Sequence, residues 1–252
     1  MPIINVAWWN LENLFDRAGH PGRDAELASR IRSELEGWTV SVRNRKLGQL
    51  AKVIAKMFDG AGPALLGVCE VENDEVLQLL LNRVNLPNRD YRISHHMSPD
   101  ARGIDVSFVY DANTLKLLDM DHIMILKRNA TRDIFWVECE VQNAMGARIR
   151  ASGNHWPSRS AGRYESAPFR MCAGETLSYT LERLYNQFDV GDRIPTIIMG
   201  DFNDEPCDRA MQEYLLVTRD VERVLNARSP ILLNLMWPMM AEDDPGTLRF
   251  RS

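Results

Sequence analysis

The chain has 252 residues, of which 45% are hydrophobic and 26% are charged, and its formal net charge is −5. This composition is typical of a globular protein, with enough length for one large α/β domain or two small ones. The acidic balance weighs against a protein that holds nucleic acid by bulk electrostatics, although a local basic groove stays open, and no apolar run approaches the roughly 18 residues of a membrane span.

Apolar patterning predicts the order of elements along the chain. It predicts a strand at 3–9, a helix at 44–58, a strand at 64–71, a helix at 74–83, strands at 104–110, 134–141 and 147–155, a helix at 175–188 and a strand at 195–199. Asn44 can cap the first helix, and acidic residues open the second. Several strands follow one another without a helix between them. This order favours a mixed sheet with helices on its outer faces over a purely doubly wound fold.

Polar side chains follow the ends of four predicted strands. They are Asn10 and Glu12, Glu70 and Glu72, Asn154 and His155, and Asp201 and Asn203. Because ligands of α/β sheets gather beyond strand ends, we expect these side chains to converge on one cleft. Oxygen ligands of this kind suit a hard cation such as Mg²⁺ or Mn²⁺, which binds phosphate oxygens and lowers the pKa of water.

Each of these motifs also has a purely structural interpretation. The segment GDFNDEP (200–206) is rich in turn-forming residues, Asn10 suits a cap, and a lone histidine such as His155 usually makes only local hydrogen bonds. Glu70 lies within LLGVCEV, where burying an unpaired carboxylate is costly, so a functional role is favoured there. The segment GDFNDEP does not fit the EF-hand pattern, and GAGPALLG matches neither glycine-rich nucleotide motif.

A basic segment, PSRSAGRYESAPFR (157–170), follows His155 directly and carries Arg159, Arg163 and Arg170. Guanidinium groups pair well with phosphate, so one interpretation is a phosphate clamp. A solvated surface loop is the other interpretation, and the sequence supports the two equally.

Five motifs occur in a fixed order: WWNLENLFD, LLGVCEVEN, SPDARGIDVSFVY, NHWPSR and GDFNDEP. Together they resemble the endonuclease/exonuclease/phosphatase superfamily, the metal-dependent hydrolases similar to DNase I and exonuclease III. The resemblance runs from about Asn5 to the end of the chain and implies a single domain over residues 1–252. It implies an α/β (α+β) fold, a four-layer αββα sandwich of two packed sheets with helices outside, and a site at one end of the sandwich.

The resemblance also assigns roles to individual residues. Glu70 is similar to the principal metal-binding Glu of the family, and Asn10 and Glu12 are similar to members of its metal and phosphate shell. His155 matches the side chain that hydrogen-bonds a non-bridging phosphate oxygen. Asp201 matches the Asp that orients or deprotonates the attacking water.

Further residues are predicted to contact the phosphate of the substrate. Asn203 matches the family residue that contacts the phosphate beside the catalytic Asp. Arg102 and Asp105 lie in the RGID element seen in one branch of the family. For Asp105, a purely structural role is the alternative to a role in the site. We predict that Arg102, Asn154 and Arg159 bind the phosphate of the substrate.

These residues predict a phosphoesterase that requires Mg²⁺ or Mn²⁺. The metal at Glu70 would neutralise part of the phosphate charge, His155 and Asn203 would stabilise the charge that develops, and Asp201 would hold a water in line. We expect a phosphate ester as substrate, with a nuclease-like or small phosphodiester activity favoured over a membrane-lipid one and nucleic acid as one candidate partner. The N-terminus lacks signal-peptide features and the four cysteines show no CxxC spacing, so a cytoplasmic location is expected.

Family members usually continue to a terminal Ser-Asp-His motif, and this sequence contains none. We therefore expect the last strands of the second sheet to be missing, which would leave residues 231–240 partly uncovered. A fragment or a premature stop is favoured over a second chain that supplies the missing part. The alternatives to an active enzyme are a catalytically impaired relative that binds a phosphorylated ligand, and a non-functional fragment.

Overall fold

The computed structural model describes residues 3–128 and 130–241. The chain divides into two compact units, of which the first contains residues 1–156 and 194–201 and the second contains residues 157–193 and 202–252. The single domain expected over residues 1–252 stays a prediction. Within the described part of the chain, no helix is long and apolar enough to cross a membrane.

The first sheet of the first unit has the strand order β1-β2-β4-β3. Its strands are β1 (Val6–Leu14), β2 (Leu65–Val71), β3 (Tyr91–His95) and β4 (Asp105–Asp111). β1 and β2 are parallel, whereas β4 pairs antiparallel with both β2 and β3. Every residue of β2 except Glu70 is buried, which accounts for its nearly continuous apolar sequence.

The second sheet of the same unit has the strand order β5-β6-β7-β8. Its strands are β5 (Leu115–Ile123), β6 (Ile134–Val141), β7 (Arg148–His155) and β8 (Thr196–Asp201). β7 and β8 are parallel, and the other pairs are antiparallel. β5 is a largely exposed edge strand whose polar and apolar residues do not alternate regularly, so hydrophobic patterning does not predict it.

Two hydrophobic cores hold the layers of the first unit together. The core shared by both sheets includes Leu65, Cys69, Val106, Phe108, Phe135, Val137, Ala151 and Met199. A second core joins the first sheet to helices α2 (Val40–Lys56) and α3 (Asp74–Leu81), while the short helix α1 (Ala25–Arg30) has no buried residue. The expected pair of packed sheets with helices outside the first sheet is therefore confirmed.

Helix α2 begins earlier than its apolar periodicity predicts. Thr39, and not Asn44, is the N-cap, and its side chain accepts a hydrogen bond from the backbone N–H of Val42 at 3.2 Å. The extra turn carries no buried residue, so hydrophobic spacing gives no signal for it. Capping chemistry sets this boundary.

The second unit is mainly helical. It contains α4 (Arg163–Asn186), a π-helix (Ala210–Tyr214), α5 (Val221–Leu225), 3₁₀ turns at Val190–Asp192 and Trp237–Ala241, and a parallel pair formed by β9 (Val217–Thr218) and β10 (Leu232–Leu233). The expected absence of the last strands stays a prediction, because residues 242–252 lie outside the described part.

Helix α4 begins at Arg163, twelve residues before the start that the sequence predicts at 175, and it continues through Pro168. Arg170 is fully buried and donates to Asp204 Oδ1 at 2.6 Å and to Ser166 Oγ at 2.7 Å. These buried contacts stabilise the first turns despite the proline, which normally disfavours a helix interior. The interpretation of residues 157–170 as one surface loop is therefore wrong from Arg163 onward.

Candidate active site

Four predicted site residues of the first unit, Asn10, Glu70, His155 and Asp201, lie toward the carboxyl ends of two pairs of parallel strands. Asn10 of β1 is in register with Cys69 of β2, next to Glu70. His155 of β7 is in register with Asp201 of β8. Because parallel strands finish at the same edge of a sheet, their terminal side chains are brought side by side.

The side-chain amide of Asn10 connects two carboxylates. Its Nδ2 donates to Glu70 Oε1 at 3.2 Å and to Asp201 Oδ2 at 3.0 Å, although these residues are 60 and 191 positions away in sequence. His155 Nε2 lies 3.6 Å from the same Oε1 of Glu70. The structure thus brings together Asn10, Glu70, His155 and Asp201, as the strand-end pattern predicts.

The backbone beside these side chains adopts unusual conformations. Glu12, Asn13 and Glu70 have φ angles of 53°, 60° and 61°, in the left-handed region that non-glycine residues rarely occupy. They fall where the β1–β2 pairing shifts register between Asn10 and Leu14, so both strands bulge at the site. The bulge directs the backbone N–H of Asn13 at Glu70 Oε2, at 2.8 Å. Strain of this kind, at about 1–3 kcal/mol per residue, is characteristic of functional sites.

Arg102 supports this bulge from a distant part of the chain. Its Nη2 donates to Asn13 Oδ1 at 2.5 Å and to Glu34 Oε2 at 3.0 Å. The guanidinium is partly exposed and contributes positive charge near Glu70. Its predicted contact with a substrate phosphate stays a prediction, and its observed role is to hold Asn13.

His155 is buried, and its surroundings disfavour the charged form of its imidazole. Burial lowers the pKa of its imidazole well below the ordinary value, and the nearby positive charges of Arg132 and Arg102 lower it further. Among the described residues, none hydrogen-bonds its Nδ1. A neutral ring with its proton on Nε2 can donate a hydrogen bond toward the position occupied by the carboxylates and the reacting group.

The site carries a concentrated negative charge. Burial raises the pKa of the Cys69 thiol well above its ordinary value, and the charges of Asp201 and Glu70 raise it further. The metal-binding atoms that converge here are the carboxylate oxygens of Glu70 and Asp201, to which Asn10 presents its amide N–H group. Mg²⁺ and Mn²⁺ prefer such oxygen ligands over softer ones. The residues present therefore fit a hard divalent cation at Glu70, with Asn10 and the exposed side chain of Glu12 beside it.

Lys46 of α2 is a neighbour of the site that sequence reasoning misses. Its Nζ donates to the backbone carbonyl of Glu12 at 2.5 Å. Burial lowers the pKa of its ammonium group, while Glu12 and Glu70 oppose that shift. The only signal in the sequence is the basic cluster Arg43, Arg45 and Lys46 at the start of the helix.

A pocket of about 350 Å³ adjoins the site. Its lining combines aromatic and cationic side chains with two predicted site residues: Trp9, Asn10, Glu12, Trp38, Arg45 and Lys46. Such a lining suits an organic group that carries negative charge.

Asn154 lies at the end of β7, and its side chain is engaged within the sheet. Its side chain is fully buried, with Nδ2 donating to Ser152 Oγ at 3.0 Å and to the carbonyl of Met199 at 3.1 Å, while Oδ1 accepts from Trp156 Nε1 at 3.2 Å. The amide is therefore engaged in joining β7 to β8. The geometry favours a structural role that positions His155, and direct phosphate binding stays a prediction.

Asn203 and Arg159 belong to the second unit. Asn203 has a φ of 52°, and its backbone carbonyl accepts a hydrogen bond from Arg159 Nε at 2.6 Å. Arg159 Nη2 is also 3.2 Å from Asp204 Oδ1 and 2.5 Å from Asp208 Oδ2. The basic segment is thus largely neutralised by carboxylates of its own unit, and its phosphate-binding role stays a prediction.

Glu72 is not part of the converging set. It is buried and forms a bidentate ion pair with Arg23, with Nε–Oε1 at 2.5 Å and Nη2–Oε2 at 2.7 Å. Its Oε2 also accepts the backbone N–H of Asp16 at 2.7 Å. Of the two acids that end LLGVCEVE, only Glu70 faces the candidate site.

The chain belongs to the endonuclease/exonuclease/phosphatase family, whose sequence model matches residues 5–252. This match confirms the resemblance carried by the five motifs. No curated protein sequence matches the chain.

Solved structures of the same superfamily share the fold. The catalytic domain of human nocturnin, with a bound sulfate anion, is 21% identical with a TM-score of 0.52, and the match covers 75% of this chain and 68% of that one. A mannosyl-6-phosphatase from Bacteroides thetaiotaomicron is 15% identical with a TM-score of 0.54 and coverages of 84% and 70%. A family protein from the same bacterium is 16% identical with a TM-score of 0.55 and coverages of 84% and 68%.

At these identities the likeness shows the fold alone. It confirms the predicted mixed α/β class and its DNase I-like, two-sheet architecture. The chain therefore has the fold on which this family builds its phosphoesterases.

Proposed function

We propose that this protein is a divalent-metal-dependent phosphoesterase that hydrolyses phosphodiester bonds by in-line attack of water. The observation that carries the proposal is the convergence of Glu70 and Asp201 on the amide of Asn10, with the imidazole of His155 3.6 Å from Glu70. A metal ligand, a base and a neutral hydrogen-bond donor are thereby available in one place.

The proposed roles follow from the environment of each side chain. Glu70, with Glu12 nearby, would hold Mg²⁺ or Mn²⁺, and Asn10 would fix the position of the Glu70 carboxylate. When bound, the ion would neutralise part of the phosphate charge. Asp201 orients a water in line with the leaving oxygen and accepts its proton. His155, being neutral, donates from Nε2 to a non-bridging oxygen as negative charge develops there.

The pocket beside Asn10 supports an organic phosphate ester as substrate. Trp9 and Trp38 offer aromatic surface, and Arg45 and Lys46 offer positive charge to a second anionic group. Among the structural neighbours, one is named a 2′,3′-cyclic phosphatase in complex with adenosine-2′,3′-vanadate and another a mannosyl-6-phosphatase. We favour a nucleotide-type phosphodiester, with short single-stranded nucleic acid as the first substrate to test.

Hydrolysis of bis(p-nitrophenyl) phosphate and of short single-stranded and duplex DNA tests the proposal. The rates are measured with Mg²⁺, with Mn²⁺ and with EDTA. Glu70→Gln and Asp201→Asn are each expected to lower the metal-dependent rate by at least about 10²-fold, because each removes a charge used at the reacting centre. Glu26→Gln, which changes an exposed acid of α1, is the matched control and is expected to retain the rate.

Two results would overturn the proposal. One is equal turnover in the wild-type protein and in both site variants. The other is a protein that folds, melts cooperatively and binds a phosphate ester with no turnover in either metal. The second result would indicate the alternative of a catalytically impaired relative that binds a phosphorylated ligand.

A further inference from the structure

A second group of metal-ligating side chains lies in the first unit. His96 directly follows β3, His122 belongs to the edge strand β5, and Asp133 directly precedes β6. His96 Nε2 is 3.0 Å from Asp133 Oδ2, and one ligand atom of each of the three residues lies within 4.8 Å of the others. None of the three is a residue of the candidate active site.

The carboxylate of Asp133 is incompletely satisfied. Asp133 is 5% exposed, and its Oδ2 is close to His96. Among residues 3–128 and 130–241, no group donates a hydrogen bond to its Oδ1, which is also buried. An unpaired buried acceptor costs about 1–3 kcal/mol, and more when it is charged. A bound cation would satisfy this oxygen.

The two imidazoles are arranged one over the other. The rings of His96 and His122 stack with centroids 3.8 Å apart and planes 20° apart, and Phe135 packs beside His96 at 5.9 Å. Burial decreases from Asp133 through His96 to the exposed His122. The cluster thus has the buried carboxylate of Asp133 at its inner end and the ring of Phe135 along one side. An ion could enter at the outer end, beside the exposed His122.

The chemistry of the donors selects the class of ion. Two imidazoles and one carboxylate suit zinc and its transition-metal neighbours, whereas Mg²⁺ prefers an all-oxygen set. Ligand atoms on a tetrahedral zinc are about 3.3 Å apart, since Zn–N bonds are about 2.0–2.1 Å. His122 must therefore move inward, which its exposed position on an edge strand permits.

We propose that His96, His122 and Asp133 form a binding site for a divalent transition metal of the zinc class, with water completing the coordination. Another cluster, Asp16, His20 and Glu75, has similar composition, but Asp16 is already paired with Arg43. The proposed site is chemically distinct from the oxygen-rich site at Glu70 and does not depend on the proposed function.

Cobalt(II) is the probe that tests this site. It replaces zinc in sites of this kind and absorbs visible light when its coordination is tetrahedral. Apoprotein carrying Glu70→Gln is titrated with Co²⁺ and then with Zn²⁺, so that the candidate active site does not contribute. We expect a visible band at one equivalent of Co²⁺, which Zn²⁺ displaces.

The variants locate the ion on this background. His122→Ala is expected to weaken Co²⁺ binding by at least about 10-fold and to abolish the band, because one of three ligands is lost. Asp133→Asn tests the buried ligand. His20→Ala belongs to the other cluster and is expected to leave the titration unchanged.

Three results would overturn the assignment. They are the absence of a band in the Glu70→Gln protein, an unchanged titration in His122→Ala, and loss of binding in His20→Ala. Since His122 is exposed, its replacement is not expected to unfold the protein, and a thermal melt of the same samples checks this. None of these readouts uses hydrolysis, so a failure here is distinguishable from a failure of the proposed phosphoesterase.

Discussion

The amide of Asn10 lies between two carboxylates that would otherwise repel each other. Glu70 and Asp201 both accept from its Nδ2, so one neutral group fixes the separation of two negative ones. The backbone N–H of Glu12 donates to Asn10 Oδ1 at 2.8 Å, and this bond fixes the orientation of the amide. The arrangement prepares an anionic site before a cation binds.

Replacing Asn10 by Ala tests this arrangement. The variant keeps both carboxylates but loses the donor between them, so we expect the half-saturating Mg²⁺ concentration for hydrolysis to rise by about 10- to 100-fold. A metal titration of the initial rate measures the change. An unchanged half-saturation would show that Asn10 does not organise the two carboxylates.

Ionisation of Asp105 lowers the stability of the folded protein as the pH rises, whereas most acidic residues of folded proteins have the opposite effect. Burial raises the pKa of its carboxyl to about 6, although hydrogen bonds from Ser98 partly oppose this shift. A group whose folded pKa is raised binds more protons in the folded state. Its contribution to stability is therefore complete below pH 4 and is lost as the pH rises through about 6.

Asp105→Asn removes this titration. Between pH 4 and pH 7 we expect the wild-type protein to lose about 2–3 kcal/mol of unfolding free energy relative to the variant, which cannot ionise. Urea denaturation of both proteins at several pH values gives the difference. A difference that does not vary with pH would contradict the raised pKa of Asp105.

The connection from β1 to α1 is anchored by a buried ion pair. Arg23 and Glu72 are 9% and 6% exposed, and Arg23 Nη1 also donates to the carbonyl of Ala18 at 2.7 Å. The pair joins the segment after β1 to the segment after β2. It therefore stabilises the two chain segments that lead away from the bulge at Glu70.

Breaking one side of this pair is expected to be costly. Arg23→Met leaves the carboxylate of Glu72 buried without its counter-ion, which typically costs about 3–5 kcal/mol. The double variant Arg23→Met with Glu72→Leu removes both charges and is expected to recover most of the loss. Chemical denaturation of the three proteins measures this, and equal losses in the single and double variants would contradict it.

In the first unit the two sheets approach each other closely at a glycine. A Cβ on Gly153 of β7 would lie 2.6 Å from Val106 Cγ1 and 3.1 Å from Phe108 Cζ, both on β4 of the other sheet. These neighbours belong to the shared core and cannot move into solvent. The distance between the sheets therefore depends on the absence of a side chain at this position.

Gly153→Ala is expected to destabilise the protein by about 1–3 kcal/mol through overpacking. Gly48→Ala is the control. Among the described residues, no atom outside the adjoining backbone of its own helix lies within 4 Å of the added Cβ, and helix α2 should gain up to about 1 kcal/mol. Chemical denaturation of the two variants measures these changes in the free energy of unfolding. Equal stability of the two would show that the sheets accommodate the extra methyl group.

The strand-end pattern predicted that side chains from distant strands converge, and the structure brings four of them together. Asn10, Glu70, His155 and Asp201 stand out because polar groups follow apolar strands in a fixed order of motifs. The same pattern could not separate Glu70 from Glu72, because both end the same strand. Only the left-handed backbone at Glu70 and the ion pair at Glu72 assign them to different surroundings.

The sequence by itself determined the family and most of the strands, because motif chemistry and apolar alternation are local properties of the chain. Tertiary structure alone decided the start of α4, the edge strand β5 and the buried position of Asn154. It also decided that His96, His122 and Asp133 meet. These features depend on which distant groups supply partners and which faces become buried, and neither is encoded in any local stretch of sequence.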